Sequence, residues 1–201
     1  MPSIQRTLPL FMLNTVLFPG ASIPIQIFEQ RYKLMLRDCL SSDSKLGVIL
    51  IKTGSEVGEP AEPHSTGTLA SIVQASETSG GRYFISVTGQ QRFRIEEIAQ
   101  YRPYIAAQVK LLEEDTDASL RSTEIEVVLK ALTDYSRLVA GLAGGWVRRA
   151  HGPLTPLALS YRIADMLQVE MSEKQSLLEE PTPAERLESE LDILRRESEI
   201  L

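Results

Sequence analysis

The stretch LPLFMLNTVLFPGASIPIQIFEQRY, residues Leu8–Tyr32, decides how the rest of the chain is interpreted. Its apolar runs Leu8–Leu13 and Ile23–Phe28 are typical of short strands. The sequence Phe18-Pro19-Gly20 between them predicts a turn, because proline fixes φ and glycine accepts a positive φ. Pro24 cannot donate a ladder hydrogen bond, so we expect the second strand to lie at an edge or to begin at this proline.

The same stretch partly imitates a secretory signal, since Arg6 precedes an apolar run that is followed by the small residues 20–22. Two features argue against that interpretation. Asn14 interrupts the run, and Pro9 and Pro19 lie where a signal helix needs continuity. No apolar run approaches the roughly 18 residues that a membrane-spanning helix needs. We therefore expect a cytoplasmic protein with no membrane partner.

The spacing of apolar residues becomes helical after Phe28, and this predicts one helix over Glu29–Leu40. The sequence then returns to strand patterns, which predict a mostly antiparallel sheet or small barrel. The predicted strands are Lys45–Lys52, Thr68–Glu77, Arg82–Thr88, Gln91–Ile98 and Tyr104–Leu112, with a loop at Thr53–Gly67, a hairpin turn at Thr78–Gly81 and a turn at Gly89-Gln90.

The second half of the chain has helical patterns. A wide apolar stripe between residues 120 and 142 predicts a long helix with Asp117 as its N-cap and the glycines 141, 144 and 145 at its end. Thr155-Pro156 predicts a helix through about residue 168, and capping boxes at Ser172–Gln175 and Thr182–Glu185 predict two more. We therefore expect an α+β chain with a β-barrel domain over residues 1–116 and an all-helical domain over residues 117–201.

Composition limits the classes of function. The 27 acidic and 21 basic residues give a net charge of −6, so a nucleic-acid partner is not expected. The chain has a single cysteine, Cys39, and two histidines, His64 and His151, which exclude an internal disulfide and do not supply a tetrahedral metal site. Cys39 occupies an apolar position of the predicted helix and is interpreted as a small buried hydrophobe. We expect no metal and no cofactor.

The sequence lacks the familiar catalytic motifs. Neither Gly-x-x-x-x-Gly-Lys-Ser/Thr nor Gly-x-Ser-x-Gly occurs. The alternative is that the acidic cluster of Glu113, Glu114, Asp115 and Asp117 supplies paired carboxylates for acid–base or magnesium chemistry. This cluster falls at a strand-to-helix junction, where acidic residues are favoured by solvent and by the helix dipole. The sequence therefore predicts a protein that is not an enzyme.

Two groups of arginine and aromatic residues have alternative interpretations. Arg82, Arg92 and Arg94 with Tyr83 and Phe93 resemble the basic strips of sheet-based RNA readers. Strand alternation places Phe93 opposite Arg92 and Arg94, which predicts an ordinary polar face above a buried aromatic ring.

Trp146 lies beside Arg148 and Arg149 in a glycine-flanked connector, and tryptophan and arginine are enriched at binding hot spots. The alternative is that Trp146 is a hydrophobic stop at the end of a helix. The last helix carries Leu187, Leu191, Leu194 and Leu201, which indicate either a seam for a partner helix or packing within the chain. Two heptads are too few for a coiled coil, so internal packing is favoured.

A series of motifs follows one another along almost the whole chain. They are Leu8-Pro9-Leu10-Phe11, Leu17-Phe18-Pro19-Gly20, Ile27-Phe28-Glu29-Gln30-Arg31-Tyr32, Gly47-Val48, Gly67-Thr68-Leu69-Ala70, Gly89-Gln90-Gln91-Arg92-Phe93-Arg94-Ile95, Lys174-Gln175-Ser176-Leu177-Leu178-Glu179 and Arg186-Leu187. In this order they closely resemble the amino-terminal, substrate-binding domain of the Lon ATP-dependent proteases.

The resemblance implies a PUA-like, mostly antiparallel pseudo-barrel with an inserted helix, followed by a helical lobe. A full Lon protease continues into an ATPase module and a serine–lysine protease domain, and this sequence contains neither a Walker A motif nor a recognisable Ser-Lys dyad. We therefore expect a stand-alone, bacterial-type homologue of the domain. ATP hydrolysis and proteolysis are not carried over.

The function that the resemblance implies is the binding of unfolded or exposed hydrophobic polypeptide segments, with a protease or chaperone as a further partner. The alternative is a regulatory or assembly protein that binds a folded partner or itself through the carboxy-terminal helices. The expected peptide-binding residues are Phe18, Pro19, Ile23, Tyr32, Met35 and Trp146. Structural roles are expected for Glu29, which would cap the helix start, for Arg31, which would bond to barrel carbonyls, and for Gly67, Gly89, Arg92 and Phe93.

Overall fold

A computed structural model describes residues 5–56, 61–114, 122–143 and 155–200. The chain divides into two compact units, Met1–Glu113 and Glu114–Leu201. The first unit contains the described strands and one helix, and the second contains the other four described helices. The expected α+β fold class is confirmed. The predicted domain boundary, between residues 116 and 117, lies outside the described residues.

The first unit is built from seven described strands and one inserted helix. In chain order these elements are β1 Gln5–Leu13, β2 Ser22–Ile27, α1 Gln30–Leu40, β3 Lys45–Thr53, β4 Glu62–Pro63, β5 Thr66–Glu77, β6 Tyr83–Gln100 and β7 Ala106–Leu111. The long loop predicted at Thr53–Gly67 is wrong in part, because β4 pairs with the end of β3 and β5 already begins at Thr66.

Five strands close into a barrel in the order β1, β7, β6, β5 and β3. Closure comes from β1 and β3, which pair in parallel from Leu10 opposite Gly47 to Leu13 opposite Leu50. The other described pairings are antiparallel, so the predicted mostly antiparallel pseudo-barrel is confirmed. Among the described strands β2 pairs only with β6, which confirms that the strand with Pro24 lies at an edge.

The first strand explains why the sequence around it is so apolar. Its side chains alternate between two buried clusters: Leu8, Leu10 and Met12 lie in one, and Phe11 and Leu13 lie in the other. A strand that is buried on both faces has a continuous apolar run, rather than an alternation of apolar and polar residues. The apolar excess of this strand therefore belongs to the core.

The inserted helix and the turn before it follow the sequence pattern. Helix α1 buries Tyr32, Met35 and the lone Cys39, and the ring of Tyr32 stacks on Phe11 with centroids 4.2 Å apart. In the predicted turn the N–H of Ala21 donates to the Phe18 carbonyl at 3.1 Å, and Gly20 has a φ of +83°. Both the helix and the turn are confirmed.

The turn predicted at Gly89-Gln90 is wrong, because β6 continues through these residues. Leu69 of β5 pairs with Gln91 and Ala70 pairs with Gly89, so Gln90 is the extra residue of a bulge. A Cβ atom on Gly89 would lie 2.4 Å from the carbonyl oxygen of Phe18. The glycine allows another backbone segment to approach the strand closely, and it does not reverse the chain.

The second unit contains α2 Ser122–Ala143, α3 Pro156–Met166, α4 Met171–Glu179 and α5 Pro183–Ile200. The predicted cap of α3 is confirmed, because the Ala158 N–H donates to the Thr155 hydroxyl. The capping box of α5 is also confirmed, because Thr182 and Glu185 exchange side-chain-to-backbone hydrogen bonds of 3.1 and 3.2 Å.

Two predicted helix ends in the second unit differ from the structure. Helix α4 begins at Met171, with Glu170 at the N-cap and no side-chain capping bond, so the capping box predicted at Ser172 is wrong. Helix α2 continues past Gly141 to Ala143. The predicted N-cap Asp117 and the connector with Trp146 lie outside the described residues.

Candidate functional site

Strand β6 has different neighbours along its length. The first half of β6 pairs with β2 on one edge and with the second half of β5 on the other edge. Along the second half of β6, β7 takes the place of β2. The segments 22–27, 83–88 and 72–77 therefore form a three-stranded part of the sheet, which we call the arm. In one row across the arm, Gln26, Phe84 and Ser76 are neighbours.

One face of the arm is buried and the other is exposed. Ile85 and Val87 of β6 belong to the core, whereas Phe84, which directly precedes Ile85 in the strand, keeps 47% of its surface exposed. Cross-strand neighbours share a face of a sheet, so Gln26 and Ser76 flank Phe84 on the exposed face. Both flanking residues are themselves exposed. This face is therefore open to a ligand.

Two further apolar side chains, one in the arm and one directly beside it, are exposed. Phe28 directly follows β2 and is 49% exposed, and Val73, in a bulge of β5, is 60% exposed. A single exposed apolar residue is ordinary, whereas several on one element indicate an interaction surface. We call Phe28, Val73 and Phe84 the arm patch. It offers apolar contact and aromatic stacking to a ligand.

The peptide-binding residues expected from the sequence do not form such a surface. Phe18 and Met35 are fully buried, and Tyr32 is 6% exposed. The interpretation of these three as ligand contacts is corrected here, because their side chains fill the core of the barrel. Ile23 is half-buried against the same core, Pro19 is half-buried in the turn, and Trp146 lies outside the described residues.

Glu29 and Arg31 connect the start of α1 to the segment after β3. Glu29 is the N-cap residue, but its side chain makes no capping hydrogen bond and its carboxylate lies 3.2 Å from the Arg31 guanidinium. Arg31 donates to the carbonyl of Glu56 at 3.2 Å and lies 4.6 Å above the Tyr32 ring. Because both charges are engaged within the unit, this pair offers little to a ligand.

The predicted polar face above a buried aromatic ring is wrong in part: Phe93 is buried and Arg94 is exposed, as expected, but Arg92 does not lie on an open polar face. Both Arg92 and Phe93 are buried, with exposures of 2% and 0%. Arg92 is the cross-strand neighbour of Thr68, whose hydroxyl donates to the Leu17 carbonyl at 2.5 Å. The segment between β1 and β2 therefore covers the face that carries Arg92, and this basic residue is not part of an RNA-binding strip.

Gly67 has a packing role beside Phe93. A Cβ atom on Gly67 would lie 2.7 Å from Cζ of Phe93 and 2.7 Å from the carbonyl oxygen of Val48. The missing side chain leaves the space that the buried phenylalanine ring occupies. Gly67 and Phe93 therefore belong to the packing of the barrel rather than to a binding surface.

The acidic cluster does not form a metal site in the part of the chain that the structure describes. Glu114 accepts a hydrogen bond of 2.6 Å from the Tyr161 hydroxyl, and Asp115 and Asp117 lie outside the described residues. No group of three or more histidine, cysteine or acidic side chains among the described residues is arranged to hold a metal ion. None of the described helices is long and apolar enough to cross a membrane.

Cys39 has the properties of a structural cysteine. It is 1% exposed, as its place in the predicted helix indicated. Burial, with a smaller contribution from Asp38 and Asp43, raises the pKa of its thiol to about 11. The thiol therefore stays protonated at neutral pH and is a poor nucleophile.

The helical unit contains a buried polar cluster that sequence reasoning missed. The fully buried Arg186 donates to the carbonyls of Leu177 and Glu180 and to the Ser160 hydroxyl, at 2.9 to 3.0 Å. Glu190, one helical turn further along α5, is also fully buried. The sequence does carry a signal for this cluster. Arg186, Glu190 and Leu194 are spaced four residues apart, so both charged residues fall on the apolar side of α5.

A groove of about 550 Å³ lies between α2 and α5 of the helical unit. Its apolar lining includes Val127, which is 46% exposed, and Leu191. Leu187 also lines the groove but is 3% exposed, Leu194 of the same helix is fully buried, and Leu201 lies outside the described residues. The predicted leucine seam is therefore partly internal packing and partly the wall of an open groove.

Comparisons with known proteins agree with this fold. The family model described as the ATP-dependent protease La (LON) substrate-binding domain matches residues 7–196. Lon protease 2 of Myxococcus xanthus is 30% identical over an aligned length of 204 residues, and the alignment covers 98% of this chain and 24% of that protein. Lon protease of Anaeromyxobacter dehalogenans is 26% identical and is covered to the same 24%. The chain thus spans about a quarter of the length of these curated relatives.

Solved structures give the same result. The Lon N-terminal domain protein from Xanthomonas campestris is 28% identical, with a TM-score of 0.70, 93% of this chain covered and 98% of that one. The N-terminal domain of the Mycobacterium avium complex Lon protease shares the fold at 19% identity, with a TM-score of 0.65 and coverages of 94% and 98%. The family match over nearly the whole chain shows that this protein belongs to the family of LON substrate-binding domains.

Proposed function

We propose that the protein is a non-enzymatic binding module that recognises unfolded or exposed hydrophobic polypeptide segments through the arm patch. The observation that carries the proposal is the exposed face of the arm, where Phe84 lies between two small or polar neighbours. Phe28, directly after β2, and Val73, in the bulge of β5, are further exposed apolar side chains on these strands or beside them. The family match supports a binding function, because the family is described as a substrate-binding domain. A protease or chaperone that receives the bound segment is part of the same proposal.

The chemistry of the patch explains why unfolded chains are the preferred ligands. Folded proteins bury most of their large apolar side chains, whereas an unfolded segment presents them together with a free backbone. Burying the exposed half of one phenylalanine removes about 100 Å² of apolar surface from water, which contributes about 2 kcal/mol. Two such rings suffice for micromolar binding only when the ligand contributes apolar side chains of its own.

Titration with a carboxymethylated, permanently unfolded polypeptide tests the proposal. We expect binding in the micromolar range, and the variant Phe84→Ala should weaken it by roughly tenfold to thirtyfold because about 2 kcal/mol of apolar contact is lost. Tyr101→Ala is the matched control, since Tyr101 is 71% exposed in the same unit but lies outside the arm.

Fluorescence anisotropy of the labelled polypeptide gives the dissociation constants, and circular dichroism shows that the variants are folded. Equal affinity of wild type and Phe84→Ala would remove the arm patch from the proposal. No binding at high micromolar concentration would refute the proposed function itself.

A second candidate is a regulatory or assembly role through the helical unit, which the open groove between α2 and α5 favours. Its apolar wall at Val127 and Leu191 would be buried by a partner helix or by a second copy of the chain. The variant Val127→Asp places a charge in this wall. If the groove mediates self-association, the mass measured by light scattering falls in this variant, and an unchanged mass would argue against self-association.

A further inference from the structure

The edge of β5 that faces away from β6 loses its partner strand halfway along. Strand β3 pairs with β5 only from Thr68 to Ser71, and the Ile72 N–H then donates to the carbonyl of Ser44 at 2.8 Å. Beyond this point, no described strand pairs with that edge. All five residues of Val73–Glu77 are exposed. The arm therefore ends in an open strand edge.

The hairpin after β5 shows which backbone groups point outward. The Thr78 N–H donates to the carbonyl of Arg82 at 2.8 Å, so Thr78 is turned toward β6. Hydrogen-bonded and non-hydrogen-bonded pairs alternate along an antiparallel ladder. Ser76 and Gln74 are consequently also turned toward β6, whereas the N–H and C=O groups of Ala75 and Glu77 point away from it.

Apart from the charge of Glu77, this edge lacks the devices that usually prevent strand addition. Exposed edges of natural sheets are commonly blocked by proline, by lysine or by bulges. The segment Gln74–Glu77 contains neither proline nor lysine, and the bulge at Val73 comes before it rather than within it. The other edge strand of the arm, β2, does contain a proline, Pro24.

We propose that an extended polypeptide segment adds to β5 as a further strand of the arm and hydrogen-bonds to the N–H and C=O groups of Ala75 and Glu77. This binding mode rests on the proposed function and specifies how the segment is held. A guest residue opposite Ser76 would lie on the exposed face, in the same row as Phe84. An apolar side chain there enlarges the arm patch, and a lysine or arginine opposite Glu77 is favoured by charge.

Backbone hydrogen exchange gives a direct test. The probe is a capped peptide of about eight residues in which valine alternates with threonine between terminal lysines, a length that matches ordinary strands. In the free protein the Gln74 and Ser76 amides should exchange slowly and those of Ala75 and Glu77 rapidly. Saturation with the peptide should slow exchange at Ala75 and Glu77 by at least about tenfold. Unchanged exchange at both amides, despite bound peptide, would overturn the proposal.

The variant Ala75→Pro tests the same contact in another way. Proline removes an N–H that points away from β6, so the ladder between β5 and β6 is retained while the edge is blocked. We expect at least about a tenfold loss of affinity for the peptide. Ala75→Val is the matched control, since it retains the N–H and should bind like wild type. If Ala75→Pro does not fold, a peptide N-methylated at alternate residues replaces it, and equal binding of methylated and unmethylated peptides contradicts strand addition.

The outcomes separate the binding mode from the function. Peptide binding that is lost in Phe84→Ala but unchanged in Ala75→Pro supports the proposed function and refutes strand addition. No peptide binding by wild type refutes strand addition, and the unfolded polypeptide then decides the function alone. Protection of the Ala75 and Glu77 amides that grows with protein concentration, without peptide, would show that the edge is occupied by a second copy of the chain and would also overturn the proposal.

Discussion

Replacing Glu190 with glutamine should remove a large part of the pH dependence of the stability of the helical unit. Glu190 is fully buried in α5, and its two carboxylate oxygens have no hydrogen-bond partner among the described residues. Arg186 lies one turn away, but its guanidinium donates to Leu177, Ser160 and Glu180. The carboxyl is therefore buried without a side-chain hydrogen-bond partner in the described part of the chain.

Burial raises the pKa of Glu190 from 4.5 to about 9, against the opposing effects of the Arg186 charge and of the Ala164 backbone N–H. Between these values the folded chain holds a proton that the unfolded chain releases. The free energy of unfolding therefore falls as the pH rises through this window. Each pH unit contributes about 1.4 kcal/mol, so a change from about pH 5 to about pH 7.5 removes roughly 3 kcal/mol from this group alone.

Urea unfolding followed by far-ultraviolet circular dichroism, from about pH 5 to about pH 8, measures the effect. Other titrating groups are common to both proteins, so the difference between wild type and Glu190→Gln isolates this carboxyl. We expect the difference to change steadily with pH in favour of the glutamine variant. Glu188→Gln, at an exposed position two residues away, should follow wild type. Parallel curves for wild type and Glu190→Gln would refute the reasoning.

Three further predictions concern single contacts. Thr182→Ala should lower the free energy of unfolding, measured by urea titration, by about 1 kcal/mol because it removes a side-chain cap. Ser172→Ala is the control: Ser172 makes no capping hydrogen bond, so this change should affect the free energy of unfolding little. Gly89→Ala should cost about 1–3 kcal/mol because its Cβ meets a backbone carbonyl, whereas Gly80→Ala, which meets nothing within 4 Å, serves as the control in thermal melts. Cys39 should react with a thiol reagent only at the rate of unfolding, and rapid reaction in the folded protein would contradict its burial.

Local patterns in the sequence predicted most elements because the physics behind them is local. The turn at Phe18–Gly20 needs only a proline and a glycine, and the capping box at Thr182 needs only residues three positions apart. Helix α1 shows its buried face in its own spacing. The family resemblance then supplied the closed barrel, which no local pattern contains.

The candidate site was harder to predict because burial depends on distant segments. Tyr32 and Met35 look like accessible apolar residues until β1 and the barrel cover them. In the sequence, Gly89 looks like a turn residue. Only the close approach of the Phe18 carbonyl explains why a glycine is needed there within a continuous strand. The open edge at Ala75 depends on where β3 stops pairing, which the sequence of β5 does not record.

The pairing of β1 with β7 also determines when the barrel can form. Gln5 pairs with Lys110 and Pro9 with Ala106, so β1 pairs with a strand that is synthesised about a hundred residues after it. Until β7 has been synthesised, a ribosome-bound chain exposes part of the apolar run of β1 that β7 covers in the folded barrel. Contacts so distant in sequence are expected to slow folding, and we expect the exposed apolar run to make the nascent barrel prone to aggregation until β7 is available.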